Sequence, residues 1–152
     1  MDTKKVLQQQ VMMAVRDQSI ASVIFRNTIA RKLGLNITES ECLSYLGMKG
    51  TATPTELAHY TGLTTGSTTA MLDRLEKADY LRRKPNPNDR RGVIVETTEK
   101  WQKQAQPLVT GAVKAHADLI AEYSDDELKA IADFLARFSQ NVHNQTKHIE
   151  NL

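Results

Sequence analysis

The stretch from Thr53 to Glu96 constrains the fold more than any other part of the chain. It reads as helix, turn, helix, hairpin. Thr53-Pro54-Thr55-Glu56 is a helix start: Thr53 can cap, Pro54 occupies the first helical position where its missing N–H costs nothing, and Glu56 can reach back to the cap backbone. Leu57, Ala58 and Tyr60 give this short helix an apolar side. Thr61-Gly62-Leu63 makes a tight turn in which Gly62 can take a positive φ. A second helix opens near Thr64 or Thr65 and runs to about Lys77, with Ala70, Met71, Leu72 and Leu75 set among Ser67, Thr68, Thr69, Asp73 and Arg74. Two helices joined by a turn of roughly three or four residues form a helix-turn-helix, whose second helix can enter the DNA major groove.

The residues after that helix sharpen the reading. Tyr80-Leu81-Arg82-Arg83-Lys84 is a strand that turns basic, Pro85 to Gly92 is a turn-rich tip, and Val93-Ile94-Val95-Glu96-Thr97 is a β-branched return strand. A hairpin in this place is the wing of a winged helix. Between Arg74 and Arg91 there are seven basic residues against three acidic ones. The net charge of the 152-residue chain is only +2. Positive charge is therefore gathered on the second helix and the hairpin, which suits focused contact with DNA better than a generally basic surface.

The run Leu75-Glu76-Lys77-Ala78-Asp79-Tyr80-Leu81-Arg82-Arg83, then Pro87-Asn88-Asp89-Arg90-Arg91, then the β-branched strand into Thr97-Thr98-Glu99-Lys100, resembles the MarR family of bacterial transcription regulators. The order of helices and the length fit as well, so the resemblance covers essentially the whole chain. It implies a mainly α fold with a small β-hairpin wing. It also implies a homodimer on pseudo-palindromic double-stranded DNA, most simply a repressor, released in many relatives by a small aromatic or lipophilic effector.

The remaining segments fit a single chain, 1–152, with a winged helix-turn-helix lobe at 36–100 and dimerisation helices at 1–33 and 101–152. Residues 3 to 33 read as one long helix. Leu7, Val11, Ala14, Val15, Ile20, Val23, Ile24, Ile29 and Leu33 mark one side, and Met12, Met13 and Phe25 lie off that stripe. A helix apolar over much of its circumference requires more than one partner surface. Gly34 can end it. Thr38-Glu39-Ser40-Glu41 reads as a capping box for the next helix, with Thr38 capping and Glu41 at the third position. Thr51-Ala52 reads as a polar linker. After the wing, Thr97 or Thr98 can cap a helix to about Tyr123 that keeps its apolar phase across Pro107. Ser124-Asp125-Asp126-Glu127 is a further capping box. Leu128, Ile131, Leu135, Phe138 and Val142 then form a narrow stripe of about two and a half heptads, suited to contact between subunits.

The candidate DNA-binding residues are Thr65, Ser67, Thr68, Thr69, Arg74, Arg83, Asp89, Arg90 and Arg91. Short hydroxyl residues opening the second helix can donate to phosphates, touch a thymine methyl or read a base edge. Arg74 is the only long donor in that helix before Lys77. Arg82, Arg83 and Lys84 alternate along a strand and cannot all face one way, which leaves Arg83 as the phosphate candidate. By resemblance, one wing arginine enters the minor groove, where the potential is most negative if the groove is narrow. The other then holds phosphate, and Asp89 ties the wing to a nearby arginine, with Arg74 as the candidate partner. The resemblance also places an effector crevice near Arg16, Ile20, Tyr45 and Met48, although Met and Tyr at such positions are more often core than pocket.

Other chemistries find little support. Cys42 is the only cysteine, which excludes an intramolecular disulfide and a multi-cysteine zinc site. It lies in the first turn of a helix but on an apolar stripe, so an inert buried thiol is expected. His59, His116, His143 and His148 lack the paired spacing of metal ligands. No nucleophile–base motif or phosphate-binding glycine loop occurs, so neither enzyme activity nor a cofactor or metal is expected. With no run of about 18 apolar residues and no signal-peptide pattern, no membrane association is expected and the chain is read as cytoplasmic. The rival reading is a winged-helix module that binds protein in place of DNA. It requires an apolar second helix and a neutral wing.

Overall fold

A computed structural model describes residues 2–152. It contains six helices and a three-stranded antiparallel sheet in the order α1 (Thr3–Lys32), α2 (Ile37–Lys49), β1 (Thr51–Ala52), α3 (Pro54–Thr61), α4 (Thr65–Lys77), β2 (Leu81–Asn86), β3 (Asp89–Thr97), α5 (Glu99–Ile120) and α6 (Asp125–Glu150). Contacts divide the chain into two compact units, one ending at Leu108 and the other running from Val109 to Leu152. The boundary falls inside α5.

In the first unit each helix begins and ends on chemistry written into its flanks. Asp2 caps α1 through the N–H of Lys4. The helix closes in a Schellman turn, in which Gly34 (φ 68°) donates to the Arg31 carbonyl and Leu35 to the Ala30 carbonyl. α2 opens two residues earlier than the sequence suggests. Its capping box is Asn36 with Glu39, in place of the expected Thr38 with Glu41. Both pairs have the required spacing, but asparagine caps better than threonine, and Glu41 turns instead to Arg26 at 3.5 Å. Accordingly Asn36→Ala should lower the unfolding free energy by about 1 kcal/mol in urea melts, and Thr38→Ala should cost distinctly less.

α3 starts with the Thr53–Glu56 box and Pro54, and ends at Gly62 with φ 71°. α4 is capped by Thr64. Its end repeats the Schellman pattern of α1, with Asp79 donating to the Glu76 carbonyl and Tyr80 to the Leu75 carbonyl. Here, however, the left-handed residue is Asp79 (φ 61°), the one non-glycine with positive φ among the described residues. An L-residue in this conformation costs about 1–2 kcal/mol, and an acid at the negative end of a helix adds to that. Asp79→Gly should therefore raise stability by about 1 kcal/mol, read as a shifted denaturation midpoint with unchanged slope.

The sheet is ordered β1-β3-β2. Thr51 and Ala52, expected to be a linker, form a short strand opposite Glu96 and Val95. Two residues are too few to show a periodicity, so this pairing was invisible in the sequence. The hairpin strands are also longer than expected. Pro85 lies opposite Val93 and Asn86 opposite Asp89, which leaves Pro87-Asn88 as the tip. Pro85 is tolerated because β2 is an edge strand and needs no donor on its outer side.

The core of this unit gathers Leu43 and Leu46 of α2, Leu57 of α3, and Met71, Leu72 and Leu75 of α4. Leu81 and Val95 of the sheet and Trp101 of α5 complete it, all nearly inaccessible. Tyr80 meets Trp101 edge-on at 5.6 Å. Thr98 fastens the start of α5: its hydroxyl donates to the Asp79 carbonyl and accepts from Trp101 N. Cys42 lies in this core, and burial pushes its thiol up to about 11, which leaves it protonated at neutral pH.

In the second unit the expected Ser124–Glu127 box opens α6. No residue of α6 is fully buried. Ile131, Leu135 and Val142 are exposed, and Leu128 and Phe138 are half-buried. Of the first unit's own helices, α1 buries only Ala30 and leaves Leu7, Met12, Met13 and Ile24 more than half exposed. α5 is one helix across Pro107.

Candidate nucleic-acid interface

The first turns of α4 sort their residues by helical position. Thr68, Met71, Leu72 and Leu75 fall on the inner side and are buried, whereas Thr65, Ser67, Thr69 and Ala70 are exposed. Thr68 therefore leaves the set of candidate contacts. It is 2% exposed and its hydroxyl donates to the Thr64 carbonyl at 2.9 Å. Its step to Met71 and Leu72 puts it on the core stripe, and a hydroxyl satisfied by the preceding turn can be buried there. Ser67 remains accessible beside the cap, with Thr64 Oγ1 donating to its Oγ at 3.1 Å. Thr69 is accessible too, although its hydroxyl donates to the Thr65 carbonyl.

The cations of this stretch divide into braced and unbraced. Arg83, the phosphate candidate, is braced. Its Nη1 donates to Glu76, its Nη2 donates to Asp73 at 2.7 Å, and its backbone N–H donates to Glu76 Oε1. Only about a quarter of its side chain is exposed (24%). It ties β2 to α4 and neutralises two acids of that helix, so its charge is engaged within the chain, unlike that of an open phosphate ligand. The sequence showed Asp73 and Glu76 one helical turn apart but not that β2 runs beside them. Arg82 and Lys84, on the other side of β2, both meet Glu96 at 2.6 Å. Lys84 first, and then Arg82, holds the Glu96 carboxyl below the usual carboxylate range.

Arg74 does not meet Asp89. Its Nε donates to Glu39 Oε1 at 3.0 Å, across from α4 to the first turn of α2. Asp89 stays within the hairpin, where Oδ1 accepts from Arg91 N. The correction follows from the α2 cap: once Asn36 recruits Glu39, that carboxylate has a second oxygen facing α4. Asp89 also crowds Gly92, where an added Cβ would lie 3.1 Å from Oδ2. The carboxylate thus shapes the hairpin end. Arg90 and Arg91 are exposed, and among the described residues neither guanidinium has an ion-pair partner.

Two hollows open on this unit, and the first adjoins α4. One, of about 320 Å³, is lined by Asn36, Thr38, Leu63, Ser67, Ala70, Met71 and Arg74. The other, of about 290 Å³, is lined by Ile37, Thr38, Glu41, Tyr60 and Thr61. Neither is lined by Arg16, Ile20, Tyr45 or Met48, the residues proposed for an effector. Tyr45 is instead stacked on Tyr60 at 4.1 Å, Met48 is 82% exposed, and Arg16 and Ile20 lie on the open side of α1. Among the described residues no cluster of His, Cys, Asp or Glu could hold a metal ion, and no helix is long and apolar enough to cross a membrane.

Residues 35–93, which run from the residue before Asn36 into the middle of β3, match the model of the MarR family. The uncharacterized HTH-type transcriptional regulator YcgE of Bacillus subtilis is 31% identical over 149 residues, covering 98% of this chain and 97% of the relative. Among solved structures, a mutant MarR from E. coli complexed with operator DNA has a TM-score of 0.52 at 22% identity, over 85% of this chain and 95% of that one. NadR in complex with 4-hydroxyphenylacetate has a TM-score of 0.63 at 20% identity, over 84% and 89% of the two chains. These two share the fold.

Proposed function

Because the chain belongs to the MarR family of transcriptional regulators, we propose that it acts as a homodimeric repressor that binds a pseudo-palindromic operator in duplex DNA. The observation that carries this reading is the wing tip. Arg90 and Arg91 are exposed without an ion-pair partner, while the neighbouring Arg82, Arg83 and Lys84 are each held by a carboxylate. Two adjacent free guanidiniums on a thin hairpin suit phosphate and minor-groove contact. Beside them, Thr65, Ser67 and Thr69 offer hydroxyls at the exposed start of α4, with Arg74 two turns further on.

A homodimer is supported by the apolar surface left open on α1 and α6. Exposed aliphatic rows on amphipathic helices of this length call for cover, and a second copy supplies the same rows by symmetry. Such a dimer would set two α4 helices in successive major grooves about 34–36 Å apart. Release by a small aromatic or lipophilic molecule is part of the proposal. The hydroxyphenylacetate bound by NadR is a molecule of that chemistry.

Selection of duplexes from a randomised library tests the reading. The expected result is enrichment of an inverted repeat whose half-sites are centred about one helical turn apart. Enrichment of a single unrepeated half-site would overturn the dimer, and no enrichment at all would overturn sequence-specific binding.

A further inference from the structure

Glu39 does two things at once. Its side chain is only 11% exposed, and its two oxygens have different partners. Oε2 accepts the Asn36 N–H at 3.1 Å and completes the capping box of α2. Oε1 accepts the Arg74 Nε–H at 3.0 Å. The cap needs only one oxygen. The other reaches a residue 35 positions away, on the helix that carries the candidate DNA contacts.

The geometry of that second bond matters more than its strength. An ion pair whose arginine is 59% exposed contributes little to folding. It does, however, restrict a long and otherwise mobile side chain. Because Glu39 takes Nε, the end-on pair Nη1 and Nη2 has no ion-pair partner among the described residues. Ser67, Ala70 and Arg74 recur at steps of three and four, so they share one face of α4, and all three border the same hollow beside α2. Ala70 is small, and no side chain of greater length precedes Arg74 on that face. An arginine ordered before DNA arrives loses less freedom on binding, and an end-on guanidinium matches the O6 and N7 acceptors of guanine.

We propose that Glu39 is a positioning residue for sequence specificity, one that orders Arg74 so that its two terminal nitrogens read a guanine in the major groove. This rests on the DNA-binding reading above. It gives α2 a part in recognition.

The test uses the full chain and a duplex selected by the parent protein, together with duplexes carrying each G·C pair changed in turn and a scrambled control. Affinities come from fluorescence anisotropy, and folding from circular dichroism melts. Glu39→Gln keeps one acceptor for the Asn36 N–H but presents an amide NH2 group to Arg74. It should lower the ratio of selected to scrambled affinity by roughly tenfold, with binding to the scrambled duplex unchanged. The loss should map to one G·C pair per half-site, and Arg74→Ala should erase preference at that same pair. The double variant should be no worse than Arg74→Ala. Arg74→Lys, which keeps the charge and the α2 cap, should show the same loss and serves if Glu39→Gln melts too early to assay. Full retention of base preference in Glu39→Gln, or in Arg74→Lys, would overturn the proposal. So would an equal loss on every duplex. A parent protein with no preference among duplexes would remove the DNA-binding reading and this inference with it, whereas a selective parent whose preference survives Glu39→Gln removes this inference alone.

Discussion

Replacing Leu57 with alanine will lower the unfolding free energy by about 2–5 kcal/mol, the range for a fully buried leucine that leaves a cavity. The size of the effect follows from how α3 is held. The helix has eight residues, too few to be stable alone, and Leu57 is its one buried residue. Its cap, Pro54 and Gly62 define where it starts and stops, and Leu57 is the residue of α3 that enters the core cluster with Leu43, Leu46 and Met71. Ala52 and Val95 close the same core from the sheet, so the site has little room to collapse. Because α3 and α4 form the helix-turn-helix, the variant should also lose DNA affinity below its melting temperature. Urea denaturation with an unchanged slope measures the first effect. A loss under about 1 kcal/mol would mean that Leu57 is not what holds α3 to the core.

Arg90→Ala will weaken the specific complex by roughly 1–3 kcal/mol, a factor of roughly 5 to 150 in Kd. Arg90 and Arg91 adjoin on β3, between the Asp89–Asn86 and Val93–Pro85 pairs, where the register shifts. The proposed interface gives them different contacts. With Arg90 at a base edge in the minor groove, Arg91 is left for phosphate. Arg91→Ala should then weaken all duplexes alike and flatten the log–log salt slope by about 0.9. Neither arginine takes part in the ion pairs of the folded chain, so neither substitution should move the melting curve. Unchanged affinity and slope in both variants would remove the wing tip from the interface.

The contrast between these arginines and Arg83 shows where the sequence was legible. Local chemistry read well. The Thr53–Glu56 and Ser124–Glu127 boxes, the Gly34 and Gly62 stops and the Thr98 cap all depend on residues within a few positions of each other. α2 shows how local reading can still slip, because two overlapping boxes met the same spacing rule and only the partners of Glu39 and Glu41 separate them. Thr68 was a matter of phase. A threonine among hydroxyls looks polar, but its step to Met71 and Leu72 turns it inward, and that step was visible.

What could not be read were contacts between distant segments. Arg83 resembles its neighbours until β2 is laid beside Asp73 and Glu76, and Arg74 seemed available to Asp89 until α2 brought Glu39 closer. Asp79 was hidden for another reason. Nothing in a single sequence marks an aspartate that stands where α1 uses glycine. The exposed rows of α1 and α6 were legible as stripes, and the folded chain leaves them open.

The central claim is that the open face of α4 and the wing tip together read duplex DNA. Fluorescence anisotropy tests it most directly, with the parent protein titrated against its selected duplex and a scrambled one over a range of salt. The account predicts tight binding to the selected duplex, at least roughly a thousandfold tighter than to the scrambled one at physiological salt, and a steep fall of both affinities as salt rises. Equal, weak binding to both duplexes, or no binding to either at low salt by the folded protein, would contradict it.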